Sequence, residues 1–280
     1  MTTRPTIIPW LEVNVASEQA LDNARAGLEH WQRVCDYAII TTRPGNQANV
    51  YRAPQLDLPD IKILPGLKGS EMFGTSPSEL DDWRIWHEFS IHAADCLQLT
   101  GADVFVWEFE GAVRAYSEGL ATVNIDAMAT AAACTLPACT HVLYPTILAA
   151  THEPTRHRQV VMTDALARAM GPGAILTDWL YNRPAAIGYR DSDRVRAWLD
   201  AIQTGYGQQP RWHMVYTWSS DDPEHKYWLY GDDAPYEKDW LRALDLIAEE
   251  DPGSTAVVYP HIHDWANAAQ VMADVLAGAS

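Results

Sequence analysis

Apolar residues in this chain fall into short continuous runs, separated by stretches in which they recur at the spacing of a helix face. Runs of four to nine residues rich in Val, Ile and aromatic side chains read as buried strands, and the stretches between them read as amphipathic helices. The strands predicted in this way are Thr6-Ile-Ile-Pro-Trp-Leu-Glu-Val-Asn14, Tyr37 to Thr42, Ile61 to Leu64, Val104 to Gly111, Thr140 to Tyr144, Ala174 to Trp179, Trp212 to Trp218 and Thr255 to Tyr259. Ser17 caps a helix to about Cys35, with Leu21, Ala24, Leu28 and Trp31 on one face. Ser76-Pro77-Ser78-Glu79 has the form of a capping box with proline in the first turn. The helix it opens runs to about Thr100, with Leu80, Trp83, Trp86, Ala93 and Leu97 inward, and Gly101 stops it. Helices are also predicted over 120–134, over 155–170, from Asp191 or Ser192 through Ile202, around Trp240 to Ile247, and from Trp265 to Leu276.

Strands that alternate with helices imply a parallel sheet covered by helices, and eight such units in about 250 residues are the size of a (β/α)8 barrel. An open doubly wound sheet is the alternative. It would place a Gly-x-Gly-x-x-Gly turn after the first strand, where this chain has Glu12-Val-Asn-Val. Four runs also end in two apolar residues and a proline, at Pro9, Pro65, Pro145 and Pro260. Proline cannot donate to a strand ladder, so each is expected at a strand's C-terminal end, where barrel enzymes keep their chemistry. With no linker and no long internal repeat, residues 1–280 are expected to form one α/β barrel domain.

Within that frame the most informative stretch is Val104-Phe-Val-Trp-Glu-Phe-Glu-Gly111. Strand alternation puts Val104, Val106, Glu108 and Glu110 on one side, and Phe105, Trp107 and Phe109 on the other. Two carboxylates two residues apart stand roughly 6–7 Å from each other along a strand. At that distance in a crowded interior, one ionised acid favours the protonated form of the other, the division of labour that cleaving a glycosidic bond requires. The alternative is an ordinary ion pair, with Lys68 or Arg43 as the partner of one glutamate.

Composition narrows the ligand. The 280 residues are 48% hydrophobic and 20% charged, which suits a globular chain with a sizeable core, and 37 acids against 20 bases give a net charge of −17. Such a surface repels phosphate backbones, so nucleic acid is an unexpected partner, while a neutral sugar is compatible with it. There is no apolar run of membrane-span length and no apolar leader after Met1, so the chain as given is expected in the cytoplasm, away from membranes. Cys35, Cys96, Cys134 and Cys139 lack Cys-x-x-Cys spacing and read as reduced packing residues, with a Cys134–Cys139 disulfide the lesser alternative.

The strand ends supply the candidate site. The first strand offers Trp10 and Glu12, and the second Arg43; Lys68 follows the third, and Glu108 and Glu110 end the fourth. Tyr144 comes from the fifth, Asp178, Trp179 and Tyr181 from the sixth, Tyr216 and Trp218 from the seventh, and His261 and His263 from the eighth. Aromatic faces stack on the C–H faces of sugar rings, and acids and other polar groups grip hydroxyls. The expected substrate is therefore a carbohydrate, with no cofactor and no metal. Of the 12 tryptophans, those on helix faces read as packing, whereas Trp10, Trp179, Trp218 and Trp265 are either sugar platforms or plugs of the barrel mouth.

Eight βα units with acids after the fourth strand resemble the (β/α)8 glycoside hydrolases. More narrowly, Asp103-Val-Phe-Val-Trp-Glu-Phe-Glu110 is similar to the chitinase-type signature Asp-x-x-Asp-x-Asp-x-Glu. Asp103 and Glu110 match its first and last positions, Glu108 replaces the third acid, and Val106 stands where the second acid belongs. The resemblance implies that Glu110 protonates the leaving oxygen while Glu108 acts as its electrostatic partner. Were the mechanism a conventional two-carboxylate one, Asp178 is the first choice for the second acid. Two other readings compete. One is a metal-dependent barrel hydrolase using His261 and His263; the other is a carbohydrate-binding or structural barrel without catalysis, which the missing acid at Val106 suits.

Overall fold

The computed structural model describes residues 5–11, 18–42, 60–67, 81–108, 112, 116, 119, 122–128, 130, 139–144, 161, 165, 168, 170, 174–179, 211–216, 244–245, 247–249, 251–259 and 265–277. Its eight strands are β1 (Thr6–Leu11), β2 (Tyr37–Thr42), β3 (Lys62–Leu67), β4 (Val104–Glu108), β5 (Thr140–Tyr144), β6 (Ile175–Trp179), β7 (Arg211–Tyr216) and β8 (Thr255–Tyr259). All pair in parallel and in sequence order, and β8 returns to pair with β1, closing the ring. Outside it run α1 (Glu18–Trp31), α2 (Trp83–Thr100) and α3 (Trp265–Ala277). The alternation read from the sequence is thus a (β/α)8, or TIM, barrel. Carrying the pairings round the ring from Val106 returns to β4 about eight residues nearer its N-terminus, the stagger of this barrel class.

Strand alternation sorts the apolar side chains into two cores. Ile8, Trp10, Ile39, Leu64, Val106, Val142, Met214 and Val257 fill the barrel interior. Leu67, Phe105, Trp107 and Leu143 face outward and pack with Trp86, Phe89, Ala93 and Cys96 of α2. Neighbours on β4 therefore go to opposite layers, as the period of two requires.

Two of the four prolines overturn their expected placement. Pro9 lies inside β1 and Pro65 inside β3, so the third strand extends to Leu67 rather than stopping at Leu64. The register gives the reason. β1 pairs with β8 through Thr6 to Pro9 and with β2 only from Trp10 onward. β3 pairs with β4 only from Gly66 onward. Each proline occupies the residue before pairing with the next strand begins, where a missing N–H costs that ladder little. Pro145 and Pro260 follow the last residues of β5 and β8 and lie outside the described residues.

The helices differ from expectation at their starts and ends. Residues 76–79 lie outside the described residues, and α2 begins at Trp83 behind an Asp82 cap, whose carboxylate accepts from the Arg84 backbone N–H at 2.9 Å. That bond, reinforced by the Arg84 side chain, holds the Asp82 carboxyl below its ordinary value. Trp83 is 60% exposed rather than inward. It stands in the first turn, ahead of Trp86, the first buried residue of the stripe, and its ring leans on His87. Gly101 ends the helix at φ 66°, a left-handed conformation suited to glycine, and its N–H bonds the Leu97 carbonyl. α1 stops at Trp31 instead of Cys35, in a turn closed by Cys35 N–H on the Trp31 carbonyl. Cys35, Cys96 and Cys139 are free thiols, and burial pushes those of Cys35 and Cys139 up to about 12.

Candidate active site

The register that closes the barrel also stacks its inward residues into levels. Strands tilted by about 36° step up one residue between neighbours, so each level draws four residues from alternate strands. From the N-terminal end, the even strands give Tyr37, Val104, Ile175 and Thr255, and the odd strands then give Ile8, Leu64, Val142 and Trp212. Ile39, Val106, Thr177 and Val257 form the third level, and Trp10, Gly66, Met214 and the register position of Tyr144 the fourth. The fifth level, at the C-terminal mouth, holds the register positions of Thr41, Glu108, Trp179 and Tyr259. Every residue of the interior core falls on one of these levels, which checks the assignment independently.

Glu108 is the acid that this geometry singles out. It is the last residue of β4, two residues beyond Val106 on the inward side, and is 6% exposed. Below it the barrel is filled: Trp10 is 2% exposed and Met214 1%. The fold thus carries one carboxylate to the top of a solid apolar column, at the end where barrels of this class do their chemistry. Trp10, expected as a sugar platform or plug, is a plug. Its ring lies in the interior core, where the large Trp is complemented on the same level by Gly66, which adds no side chain.

The other expected site residues divide by position. Tyr144 stands opposite Glu108 in register, and Trp179 opposite Met214; Tyr216 pairs with Tyr259. Asp178 stands opposite His213 and one residue out of step with the inward Thr177. His213 is fully buried and bonds Asp251 at 2.9 Å. Glu110, Glu12, Arg43, Lys68, Tyr181, Trp218, His261 and His263 lie outside the described residues. So does Cys134, whose disulfide with Cys139 is the lesser alternative to reduced packing cysteines.

On the other side of β4, Trp107 donates its indole N–H to His141 Nδ1 at 3.1 Å. Burial holds the His141 imidazole below its ordinary value, which favours the form with a lone pair on Nδ1 that this bond uses. This pair belongs to the helix layer and is structural. Thr177 is the inward polar residue that the sequence reading missed. The signal was present, since Thr177 lies two residues beyond Ile175, but a threonine inside an apolar run reads as strand propensity. Among the described residues no group of three or more His, Cys, Asp and Glu is arranged to hold a metal ion. No described helix is long and apolar enough to cross a membrane.

Comparison with known proteins agrees on the class. No protein-family model and no curated protein matches the chain. Among solved structures it is similar to a GH18 chitinase from Pseudoalteromonas aurantia, with a TM-score of 0.57 and 12% identity over 95% of this chain and 99% of that one. It is also similar to a D-allulose 3-epimerase from Methylomonas sp., with a TM-score of 0.55 and 12% identity over 98% of each chain. The chain shares with both an α/β barrel. The two neighbours carry out different chemistry on that scaffold, so the fold alone selects neither reaction.

Proposed function

We propose that the protein acts on a carbohydrate at the C-terminal mouth of the barrel as a glycoside hydrolase. The observation that carries this reading is Glu108, a carboxylate almost wholly withdrawn from water at the top of a filled apolar column. Glu108 ends the fourth strand on its inward side, and that strand end is where the chitinase-type resemblance puts catalytic acids. Glu110, two residues on, is the proposed general acid, and Glu108 its electrostatic partner. Asp178, the expected second carboxylate, occupies a β6 position out of step with the inward face and opposite the buried His213, so the conventional two-carboxylate mechanism is not proposed through it. The aromatic positions Tyr144, Trp179, Tyr216 and Trp218, with Tyr181, are proposed to stack on sugar rings. Glu12, Arg43, Lys68, His261 and His263 are proposed to hold hydroxyls.

The test is reducing-sugar release from a panel of glycans by wild type, Glu110→Gln and Glu108→Gln. Each substitution keeps the shape of the side chain and removes its acid. Glu110→Gln is expected to lower the rate at least ~10²-fold, the usual worth of a positioned acid. Undiminished turnover by that variant removes Glu110 from the role.

One observation favours a second reading, a barrel that binds sugar without cleaving it. Val106, at the strand position where the chitinase-type signature has an acid, is fully buried among the interior core residues. That position is committed to packing. Glycan binding with no release of reducing ends by wild type would select this reading.

A further inference from the structure

Trp83 is 60% exposed, more than any other large apolar residue described. The helix does not need it for anchorage, because Trp86, Phe89, Ala93 and Cys96 of α2 make the contact with the sheet. One flank of the ring is taken by His87, a turn further on, with centroids 6.1 Å apart and the planes tilted by 45°. Much of the rest is left to water, an unusual place for a side chain with so much apolar surface to bury.

The topology decides which end of the barrel this ring occupies. Gly101, Ala102 and Asp103 join the end of α2 to the start of β4, so helix and strand leave the N-terminal face together. α2 has 18 residues and β4 has 5, lengths of about 27 Å and about 17 Å. The first turn of α2 therefore reaches the height of Glu108 or beyond, on the outer rim of the C-terminal face. The helix layer brings an open indole to the same end at which the barrel carries its acid.

The surroundings of the ring select the ligand. Asp82, Arg84, His87 and Glu88 stand about it on the first turns of the helix, with Arg84 and Asp82 paired at 3.1 Å. The next exposed apolar residue of α2 is Ile91, about 12 Å further along the axis. A protein docking site is built on a contiguous apolar centre that excludes water, which this surface lacks. A single ring edged by hydrogen-bonding groups fits instead a ligand that is apolar on its face and polar at its edge, as a sugar ring is. The net charge of −17 favours a neutral one.

We infer that Trp83 is an outer sugar-stacking site, and that the ligand is an extended glycan reaching from the barrel mouth to the rim at α2 rather than a mono- or disaccharide. The inference deepens the carbohydrate reading and rests on it. One unit of the chain lies at the mouth, and Trp83 holds a more distant one.

The test is binding of the disaccharides and hexasaccharides of β-linked glucose, xylose and N-acetylglucosamine by wild type, Trp83→Ala, Trp83→Tyr and Ile91→Ala, with melting temperatures to check each fold. Fluorine NMR of protein labelled with fluorotryptophan follows the ring directly, its resonance assigned by its absence from Trp83→Tyr. A hexasaccharide is expected to shift the Trp83 resonance. Its affinity is expected to fall about tenfold in Trp83→Ala, the worth of covering one face of a large ring, with part of the loss recovered in Trp83→Tyr. The preference for hexasaccharide over disaccharide shrinks accordingly, and Ile91→Ala binds as wild type does. Equal hexasaccharide affinity in wild type and Trp83→Ala, or a Trp83 resonance that does not move, overturns the inference. So does a loss in Ile91→Ala as large as that in Trp83→Ala. Because none of these readouts uses cleavage, a glycan that shifts Trp83 but releases no reducing ends removes the hydrolase reading alone. Cleavage indifferent to Trp83 removes only this inference, and binding of no glycan removes both.

Discussion

On the helix-facing side of β4, Phe105 and Trp107 meet edge to face with ring centroids 4.8 Å apart, and the indole N–H of Trp107 is bonded to His141. On the inward side of the same five residues, Val104 and Val106 lead up to Glu108. The outward side is built from large rings, and its buried polar atoms find partners within the layer. The inward side is built from small branched residues, with a buried carboxylate at its top. One strand thus anchors the scaffold with one face and presents polar chemistry with the other. Barrels of this class allow this because helices cover the outside of the strands while the chemistry is kept at their C-terminal ends.

The comparison is broken or sharpened most by truncation. Trp107→Ala is expected to destabilise the fold by about 3–5 kcal/mol, and Val106→Ala by about 2 kcal/mol, both read from denaturant midpoints. Equal losses would mean that the two faces share the mechanical burden, and the distinction would fail. A smaller effect isolates the polar bond. Trp107→Phe keeps most of the packing but leaves His141 Nδ1 without its donor, for a cost of about 1–3 kcal/mol. If His141→Leu in the Trp107→Phe background recovers part of that cost, the bond is confirmed as the origin.

Much of this architecture was legible in the chain. The β2, β5 and β8 boundaries follow directly from apolar runs bounded by polar residues, and the sorting of Val106 from Trp107 follows from the period of two. What was not legible depended on neighbours. Pro9 and Pro65 looked like strand ends because a sequence shows the missing N–H but not which ladder would have used it. Asp82 was overlooked as a cap because the capping-box pattern at Ser76 to Glu79 was the stronger local signal, while the described helix starts where its apolar stripe meets β3 and β4. Trp10 illustrates the same limit at the site. Its place near a strand end suited a sugar platform, and only the tilt of the strands puts it a level below the mouth.

The smallest effect concerns the helix that covers this scaffold. Burial lowers the His92 imidazole from 6.5 to about 4, with the nearby Asp95 charge acting in the opposite direction. The unfolded chain then takes up a proton that the folded chain refuses. The contribution of a neutral His92 is fully present above about pH 6.5 and is lost as pH falls toward 4. His92→Gln is expected to flatten the fall in melting temperature across that window while leaving its value at pH 8 little changed. An unaltered slope would place the acid sensitivity elsewhere.

The pairing of β8 with β1 has a consequence for how the chain comes into being. Synthesis proceeds from β1, yet the second neighbour of that strand is the last one made. Until Thr255 to Tyr259 emerge, β1 and β7 each present an unsatisfied hydrogen-bonding edge, to which any similar chain nearby could add. A chain with seven of these strands made is therefore an unclosed sheet, and β8 is the strand that removes both of its edges at once.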